Sequence, residues 1–149
     1  MPSASTEPLP PVRPYEAAMR DGLVALWTDC GLTRPWNDPD ADIERAVSNP
    51  GSTIFVICQD DQVVGSVMTG YDGHRGWVYY LASAPAMRGR GIAATLMRAA
   101  EDWLRDRGCP KIELMVRDTN DAALGFYDRL GYEHQPVSVK AKWLIEPEG

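Results

Sequence analysis

The stretch Trp77–Ala94 reads WVYYLASAPAMRGRGIAA, and it decides the fold of this chain. Its first part, WVYYLAS, is rich in aromatic and β-branched residues and predicts a strand. A proline and a loop with two glycines and two arginines, Arg88–Gly91, then lead into a helix. Backbone N–H groups at the start of a helix attract anions. The stretch therefore predicts a strand–loop–helix unit that binds an anion, most simply a phosphate.

Two helices are predicted ahead of this unit. The first begins at Pro14 and ends at Gly31, since its apolar residues recur at helical spacing. Those residues are Met19, Leu23, Leu26, Trp27 and Cys30. The second has Asp38 as its cap and ends at Asn49, just before Pro50 and Gly51.

The other predicted elements are mostly strands. Residues 52–59 (STIFVICQ) and 62–71 (QVVGSVMTGY) form a hairpin that turns at Asp60–Asp61. After the helix, which extends from about Arg90 to Arg107, residues 111–116 (KIELMV) form a further strand. A last helix begins at Asn120 or Asp121 and ends at Leu130. The tail 132–145 is extended, and its apolar part, 137–145, is expected to complete the sheet, with dimerisation as the alternative. This order predicts an α/β fold with a mixed sheet.

The composition fits one domain. The chain has 149 residues, and we assign residues 1–12 to a flexible, proline-rich segment and residues 13–146 to a single domain. No run approaches the roughly 18 apolar residues of a membrane span, and the N-terminus has no apolar core of a signal peptide. The net charge of −6 argues against a general nucleic-acid binder. We therefore expect neither membrane nor nucleic acid among the partners.

Three cysteines, Cys30, Cys58 and Cys109, stand at wide spacings without a CxxC pair. This pattern is typical of reduced, mostly buried thiols in a cytoplasmic protein. No metal site is predicted.

The glycine loop has three other interpretations. Gly89-x-Gly91-x-x-Ala94, with Glu113 about 20 residues on, matches a relaxed dinucleotide fingerprint. Against it, the first glycine does not directly follow the strand, and the later elements do not repeat the βαβ order of a doubly wound sheet. A P-loop is excluded because no Gly-Lys-Ser/Thr follows. A plain helix-entry turn stays possible for the loop taken alone.

A second motif follows about 30 residues later: Asn120–Tyr132, NDAALGFYDRLGY. The Arg88-x-x-Gly91-x-Ala93 loop followed by this helix resembles the GCN5-related N-acetyltransferase (GNAT) superfamily. LTRPWND, GYDGHRGWVYYLA and GCPKIEL are most similar to its bacterial YpeA-like subgroup. The resemblance implies the GNAT acyl-CoA N-acyltransferase fold. That fold has a mostly antiparallel central sheet, splayed fourth and fifth strands, and helices on both faces.

The resemblance also implies that the cofactor is acetyl-CoA. Glycine lets its pyrophosphate approach the backbone closely, and arginines add charge-assisted hydrogen bonds. The strand would hold the pantetheine through its backbone. The residues implied in cofactor binding are Leu81, Ala82, Ser83, Arg88, Gly89, Arg90, Gly91, Ile92, Ala93, Asn120 and Tyr127.

The implied reaction is direct attack of a primary amine on the thioester. Tyr127 lies at the motif position of the general acid that protonates the leaving thiolate. The general base is open, because WVYYLAS has no glutamate. Glu113 ranks first, and the alternatives are Asp72, His74 and Asp118.

The acceptor is expected near the loop between the first two helices. Arg34, Trp36, Asn37 and Asp38 would lie on its rim. An aspartate suits a cationic amine and an arginine suits a carboxylate, so a small molecule and a peptide or protein both stay open as the acceptor. The chain is expected to be a monomer or a homodimer.

Two other functions stay open. One is a non-catalytic acetyl-CoA sensor, which the lack of a clear general base favours. The other is a regulator that binds ATP or NAD through the same loop.

Overall fold

The structure is a computed structural model that describes residues 8–147. The chain divides into two compact units, Met1–Leu114 and Met115–Gly149. The predicted flexible segment 1–12 lies partly outside the described residues, and the single domain over 13–146 stays a prediction. No helix within 8–147 has the length and apolar character needed to cross a membrane.

The described residues form five strands and four α-helices. The strands are β1 (Val12–Pro14), β2 (Ser52–Gln59), β3 (Gln62–Tyr71), β4 (Gly76–Ser83) and β5 (Ile112–Leu114). The helices are α1 (Arg20–Asp29), α2 (Pro39–Ser48), α3 (Ile92–Asp106) and α4 (Asp121–Arg129). Short 3₁₀ turns at Ala17–Met19 and Pro85–Met87 precede α1 and α3. The mixed α/β fold is confirmed.

The sheet has the strand order β1-β2-β3-β4-β5. The first three pairs are antiparallel and only β4 and β5 are parallel. This arrangement excludes the doubly wound parallel sheet that the dinucleotide interpretation needs. The parallel pairing between β4 and β5 joins Gly76–Val78 to Ile112–Leu114. Beyond it, residues 79–83 of β4 have no β5 partner within 8–147, as expected where the fourth and fifth strands splay.

Helices cover both faces of the sheet. An added Cβ at Gly65 would lie 2.5 Å from Ile92 of α3. The next residue of β3, Ser66, accepts a hydrogen bond from Trp27 of α1 at 3.0 Å. Because neighbouring residues of a strand point to opposite faces, α3 and α1 lie on opposite sides. The buried core on the α1 side includes Leu23, Leu26, Trp27, Ile43, Ile54 and Val56.

The predicted helix ends are largely confirmed. The Asp38 carboxylate accepts the N–H of Asp40 at 3.0 Å and of Ala41 at 3.3 Å, and therefore caps α2. Gly31, Gly108 and Gly131, all with positive φ, follow the ends of α1, α3 and α4.

The predicted start of the first helix at Pro14 is wrong. Val12–Pro14 is a strand that pairs with β2, and α1 begins at Arg20. Residues 14–18 carry no apolar stripe, so nothing buries them as a helix. Proline is tolerated in β1 because β1 is the edge strand. Val12 thus belongs to the sheet and not to a flexible segment.

The prediction that the tail 132–145 completes the sheet is also wrong. No strand is present over 132–147, and Val137, Leu144 and Ile145 are 73%, 91% and 80% exposed. The predicted strand over 111–116 is likewise shorter, at Ile112–Leu114. A strand needs a paired edge as well as β-propensity, and Pro136 brings no N–H to such a pairing.

Candidate functional site

The start of α3 is open to an anion. Gly91 is the N-cap residue, with φ +82°, and no side chain caps the helix. Gly89 has φ +85°, and a Cβ added at either glycine would have no atom within 4 Å. The first turn of α3 contains no acidic side chain. The free N–H groups and the positive end of the helix dipole therefore face open space.

Two arginines flank these glycines. Arg88 is exposed, whereas Arg90 is half-buried and donates from Nη1 to the sulfur of Met87 at 3.2 Å. The Nε of Arg90 is buried and has no hydrogen-bond partner among residues 8–147. A buried donor without a partner is costly, and a phosphate oxygen would satisfy it. The residues present at this loop therefore fit a pyrophosphate.

Three hydrogen bonds fix the end of β4 next to the loop. The N–H of Ala84 donates to the carbonyl of Val64 at 2.8 Å, and the N–H of Met87 donates to the carbonyl of Ala84 at 2.8 Å. The Cys30 thiol donates to the carbonyl of Ser83 at 3.3 Å. Burial raises the pKa of Cys30, so this thiol stays protonated and acts as a donor. The chain thus leaves the sheet at Ser83 in a defined direction.

β4 contains an irregularity that sequence reasoning missed. Met68 pairs with Tyr79 and Ser66 pairs with Ala82, so one residue of β3 faces two residues of β4. Tyr80, within this bulge, has φ +53°, which a non-glycine residue rarely adopts. The bulge consists of Tyr80 and Leu81 opposite Val67, and it therefore overlaps the start of Leu81–Ser83. The only sequence signal is the break in apolar alternation at Tyr79-Tyr80.

The structure does not bring Glu113 near this end of β4. Glu113 pairs with Trp77 at the start of β4, and its carboxylate lies 3.3 Å from Nε of Arg75. Leu81 follows four residues after Trp77, which corresponds to about 13 Å along a strand. The ion pair and the distance both weigh against Glu113 as the general base.

Two of the other base candidates lie in the turn before β4, at the opposite end of that strand from the loop. Asp72 accepts the N–H groups of His74 and Arg75 at 2.8 and 2.7 Å and the indole N–H of Trp77 at 3.2 Å. The backbone bonds lower the pKa of Asp72, so it is a weak base that holds a turn. His74 is exposed in the same turn, and Asp118 is exposed ahead of α4.

The predicted acceptor rim is one loop between α1 and α2. Arg34 donates from Nη1 to the carbonyls of Gly31 at 2.7 Å and Thr33 at 2.9 Å. The N–H of Asn37 donates to the carbonyl of Arg34 at 3.0 Å, and Asp38 caps α2. Arg34 and Asp38 thus hold the backbone, while the Trp36 side chain is 45% exposed. Trp36 is the large apolar side chain that this rim exposes.

In the second unit, Asn120 caps α4, since its Oδ1 accepts the N–H of Ala123 at 3.1 Å. Tyr127 packs edge-on against Phe126 and Tyr132, with ring centroids 5.0 and 5.7 Å apart. Burial alone raises the pKa of Tyr127 to about 12. Its hydroxyl is therefore protonated throughout the neutral range, as a proton donor must be.

A sequence model of the acetyltransferase (GNAT) family matches residues 17–132. A transcriptional regulator from Bacillus halodurans C-125 has a similar structure, with a TM-score of 0.78 and 20% identity over 89% of this chain and 99% of that one. AAC(6')-Iy, solved with a CoA-containing bisubstrate analogue, has a TM-score of 0.76 and 17% identity, over 91% and 98% of the two chains. A Trypanosoma brucei acetyltransferase has a TM-score of 0.71 and 20% identity, over 89% and 99%.

Proposed function

The chain belongs to the acetyltransferase (GNAT) family, and from this premise we propose that it transfers an acetyl group from acetyl-CoA to a primary amine of a small molecule or a peptide. The observation that carries the proposal is the uncapped start of α3, where a Cβ at Gly91 would meet open space and the buried Nε of Arg90 has no hydrogen-bond partner among residues 8–147. Acetyl-CoA supplies the activated acetyl thioester. We also propose that the chain is a member of the YpeA-like subgroup, on the segments quoted above.

Binding rests on the loop and on the end of β4. The N–H groups at the start of α3 and the guanidinium groups of Arg88 and Arg90 hold the pyrophosphate. The peptide groups of Leu81, Ala82 and Ser83 hydrogen-bond the pantetheine amides, as an added strand would. The N–H groups of the β4 bulge face the thioester carbonyl and stabilise the negative charge that develops on its oxygen.

Proton transfer is assigned to Tyr127. Its hydroxyl protonates the thiolate that leaves when the amine attacks. The raised pKa keeps the hydroxyl protonated at neutral pH, so that the proton is present when the thiolate leaves. Asn120 contributes by capping the helix that carries Tyr127 and, on the family motif, by a contact to acetyl-CoA.

The acceptor amine must be neutral when it attacks, and we propose that no strong base of the protein removes its proton. Glu113 is ion-paired with Arg75 and Asp72 is held by its own turn, so we propose that the small neutral fraction of the amine reacts. AAC(6')-Iy, an aminoglycoside N-acetyltransferase, was solved with the bisubstrate analogue CoA-S-monomethyl-acetylneamine, and a polyamine of the aminoglycoside kind is a suitable first acceptor class. Trp36, beside Arg34, Asn37 and Asp38, offers an exposed ring for it.

We expect acetyl-CoA and CoA to stabilise the protein selectively. A ligand at about 100 times its Kd contributes ~2.7 kcal/mol, which corresponds to a rise in Tm of about 5–10 °C for a chain of this size. The measurement is thermal unfolding with acetyl-CoA, CoA, ATP and NAD in parallel. An equal rise with ATP or NAD would favour the nucleotide-binding regulator instead, and no rise with either CoA species would refute the proposal.

We expect Glu113→Gln to leave turnover within about twofold of the wild type, because Glu113 is ion-paired far along β4 from Leu81. Turnover should also increase with pH toward the pKa of the acceptor amine, near 10 for a lysine-like group. CoA release, followed with a thiol reagent on a panel of aminoglycosides, polyamines and lysine peptides, checks both. A fall of about 100-fold in Glu113→Gln would restore Glu113 as the general base.

The sensor interpretation predicts a different pattern in the same assay. It requires stabilisation by acetyl-CoA with no release of CoA above the rate of hydrolysis for any amine of the panel. The ion pair that occupies Glu113 is the observation in its favour.

A further inference from the structure

A buried polar cluster joins three elements behind the bulge of β4. The indole Nε1 of Trp27 (α1) donates to Oγ of Ser66 (β3) at 3.0 Å. The same hydroxyl donates to the carbonyl of Tyr80 (β4) at 2.8 Å. Trp27 and Ser66 are fully buried. The Tyr80 peptide is thus held by a hydroxyl whose orientation is fixed by an indole.

The side chain of Tyr80 is held as firmly as its carbonyl. Its ring stacks on the Trp27 indole with centroids 3.7 Å apart and planes within 9°. Its hydroxyl donates to the Asp42 carboxylate (α2) at 2.6 Å. Arg45 lies 3.2 Å from the other oxygen of that carboxylate. We name Trp27, Asp42, Ser66 and Tyr80 the bulge clamp.

The backbone conformation that the clamp holds is unfavourable by itself. Tyr80 has φ +53°, a region that costs a non-glycine residue about 1–2 kcal/mol. Such a residue persists only where several contacts impose it. A glycine would adopt the same backbone without cost, so the chain has a strained residue where a relaxed one is available. The ring and hydroxyl of Tyr80 must therefore contribute something that glycine lacks, which is attachment to α1 and α2.

We infer that Ser66 and Tyr80, with Trp27 and Asp42 behind them, are positioning residues for acetyl transfer. They fix the bulge so that its peptide N–H groups point at the thioester carbonyl oxygen. The inference rests on the proposed function, because it needs acetyl-CoA bound along Leu81–Ser83. Fixed donors stabilise a developing charge best, since they need no reorganisation during the reaction. Losing the clamp should lower kcat without weakening the phosphate loop.

A matched control is available on the same pair of strands. Thr69 of β3 is also fully buried, and its Oγ1 donates to the carbonyl of Trp77 at 3.0 Å, at the regular end of β4. Thr69→Val and Ser66→Ala each remove one buried hydroxyl bond from β3 to β4. Only Ser66→Ala releases the bulge. Tyr80→Phe is a second variant, which keeps the stacked ring and removes only the bond to Asp42.

The test is isotope-edited infrared spectroscopy of [1-¹³C]acetyl-CoA bound to the full-length protein without acceptor. We expect the carbonyl stretch to lie at lower frequency than in free acetyl-CoA for the wild type and Thr69→Val. In Ser66→Ala and Tyr80→Phe this shift should shrink markedly, while the Kd of acetyl-CoA changes less than about threefold. On the best amine of the panel, Ser66→Ala should lower kcat about 10- to 100-fold.

The outcomes separate this inference from the proposed function. A wild-type shift that Ser66→Ala and Tyr80→Phe leave intact, or that Thr69→Val removes equally, overturns the inference and leaves acetyl transfer standing. Acetylation of an amine by a wild-type protein that shows no shift of the carbonyl stretch also overturns the inference and leaves acetyl transfer standing. A clamp-dependent shift without acetylation of any amine refutes transfer and overturns the catalytic part of the inference, and it leaves the clamp only a role in orienting bound acetyl-CoA. No binding of acetyl-CoA refutes the proposed function, and the inference with it.

Discussion

Tyr127→Phe should lower kcat about 100-fold, which corresponds to ~2.7 kcal/mol of transition-state stabilisation. The substitution removes the hydroxyl that we propose protonates the leaving thiolate and keeps the ring that packs against Phe126 and Tyr132. Steady-state CoA release gives kcat, and calorimetry gives the Kd of acetyl-CoA, which should change less than about threefold. Because the pKa of Tyr127 is about 12, its ionisation should cause no loss of wild-type activity up to pH 10.

Tyr132→Phe is the matched control for this variant. It removes a hydroxyl from the same aromatic cluster, and the ring contact to Tyr127 is kept. Turnover in this variant should stay close to that of the wild type. If the two variants lose activity equally, the aromatic packing and not the Tyr127 proton is responsible, and the general acid must be sought elsewhere.

Gly91→Ala should weaken acetyl-CoA binding about 10- to 100-fold. The new Cβ would project into the open space at the start of α3, where we place the pyrophosphate. Alanine is also strained at φ +82°, so a rearranged loop would no longer present its N–H groups together. Calorimetry with acetyl-CoA measures the loss directly.

Gly73→Ala is the control variant for the effect of backbone strain without a change at the proposed pyrophosphate site. Gly73 has φ +93° and open space at its Cβ position, in the turn before β4. Both variants should lose about 1–2 kcal/mol of folding free energy, but Gly73→Ala should bind acetyl-CoA as the wild type does. Unaltered binding by Gly91→Ala would place the pyrophosphate away from this helix start.

Local signals predicted most of the fold, because each resides in a few neighbouring residues. The strands over residues 52–59 and 62–71, with a turn at Asp60–Asp61, match β2 and β3 as they stand. Asp38 caps α2, since this cap needs only its own side chain and the next two or three N–H groups, and the helix predicted from about Arg90 is α3, which begins at Ile92. Both predictions needed no knowledge of distant parts of the chain.

The predictions failed where the outcome depends on which strands pair in the folded sheet. Val12–Pro14 became a strand because β2 offers an edge, which its own sequence does not record. Residues 132–145 have alternating apolar side chains but stay outside the sheet. Glu113 had the right chemistry for a base, and only the register with Trp77 and the ion pair with Arg75 show where its carboxylate lies.

The sequence by itself determined the family and the order of the elements from α1 to α4, since both depend on contiguous motifs, and it indicated the loop that we propose receives a phosphate. The tertiary structure alone decided how β4 is shaped beside that loop. Nothing near Tyr80 in sequence indicates φ +53°; the conformation is imposed by Trp27, Ser66 and Asp42, which lie 53, 14 and 38 residues away. Strain of this kind is maintained by packing between distant segments, and a local pattern carries no trace of it.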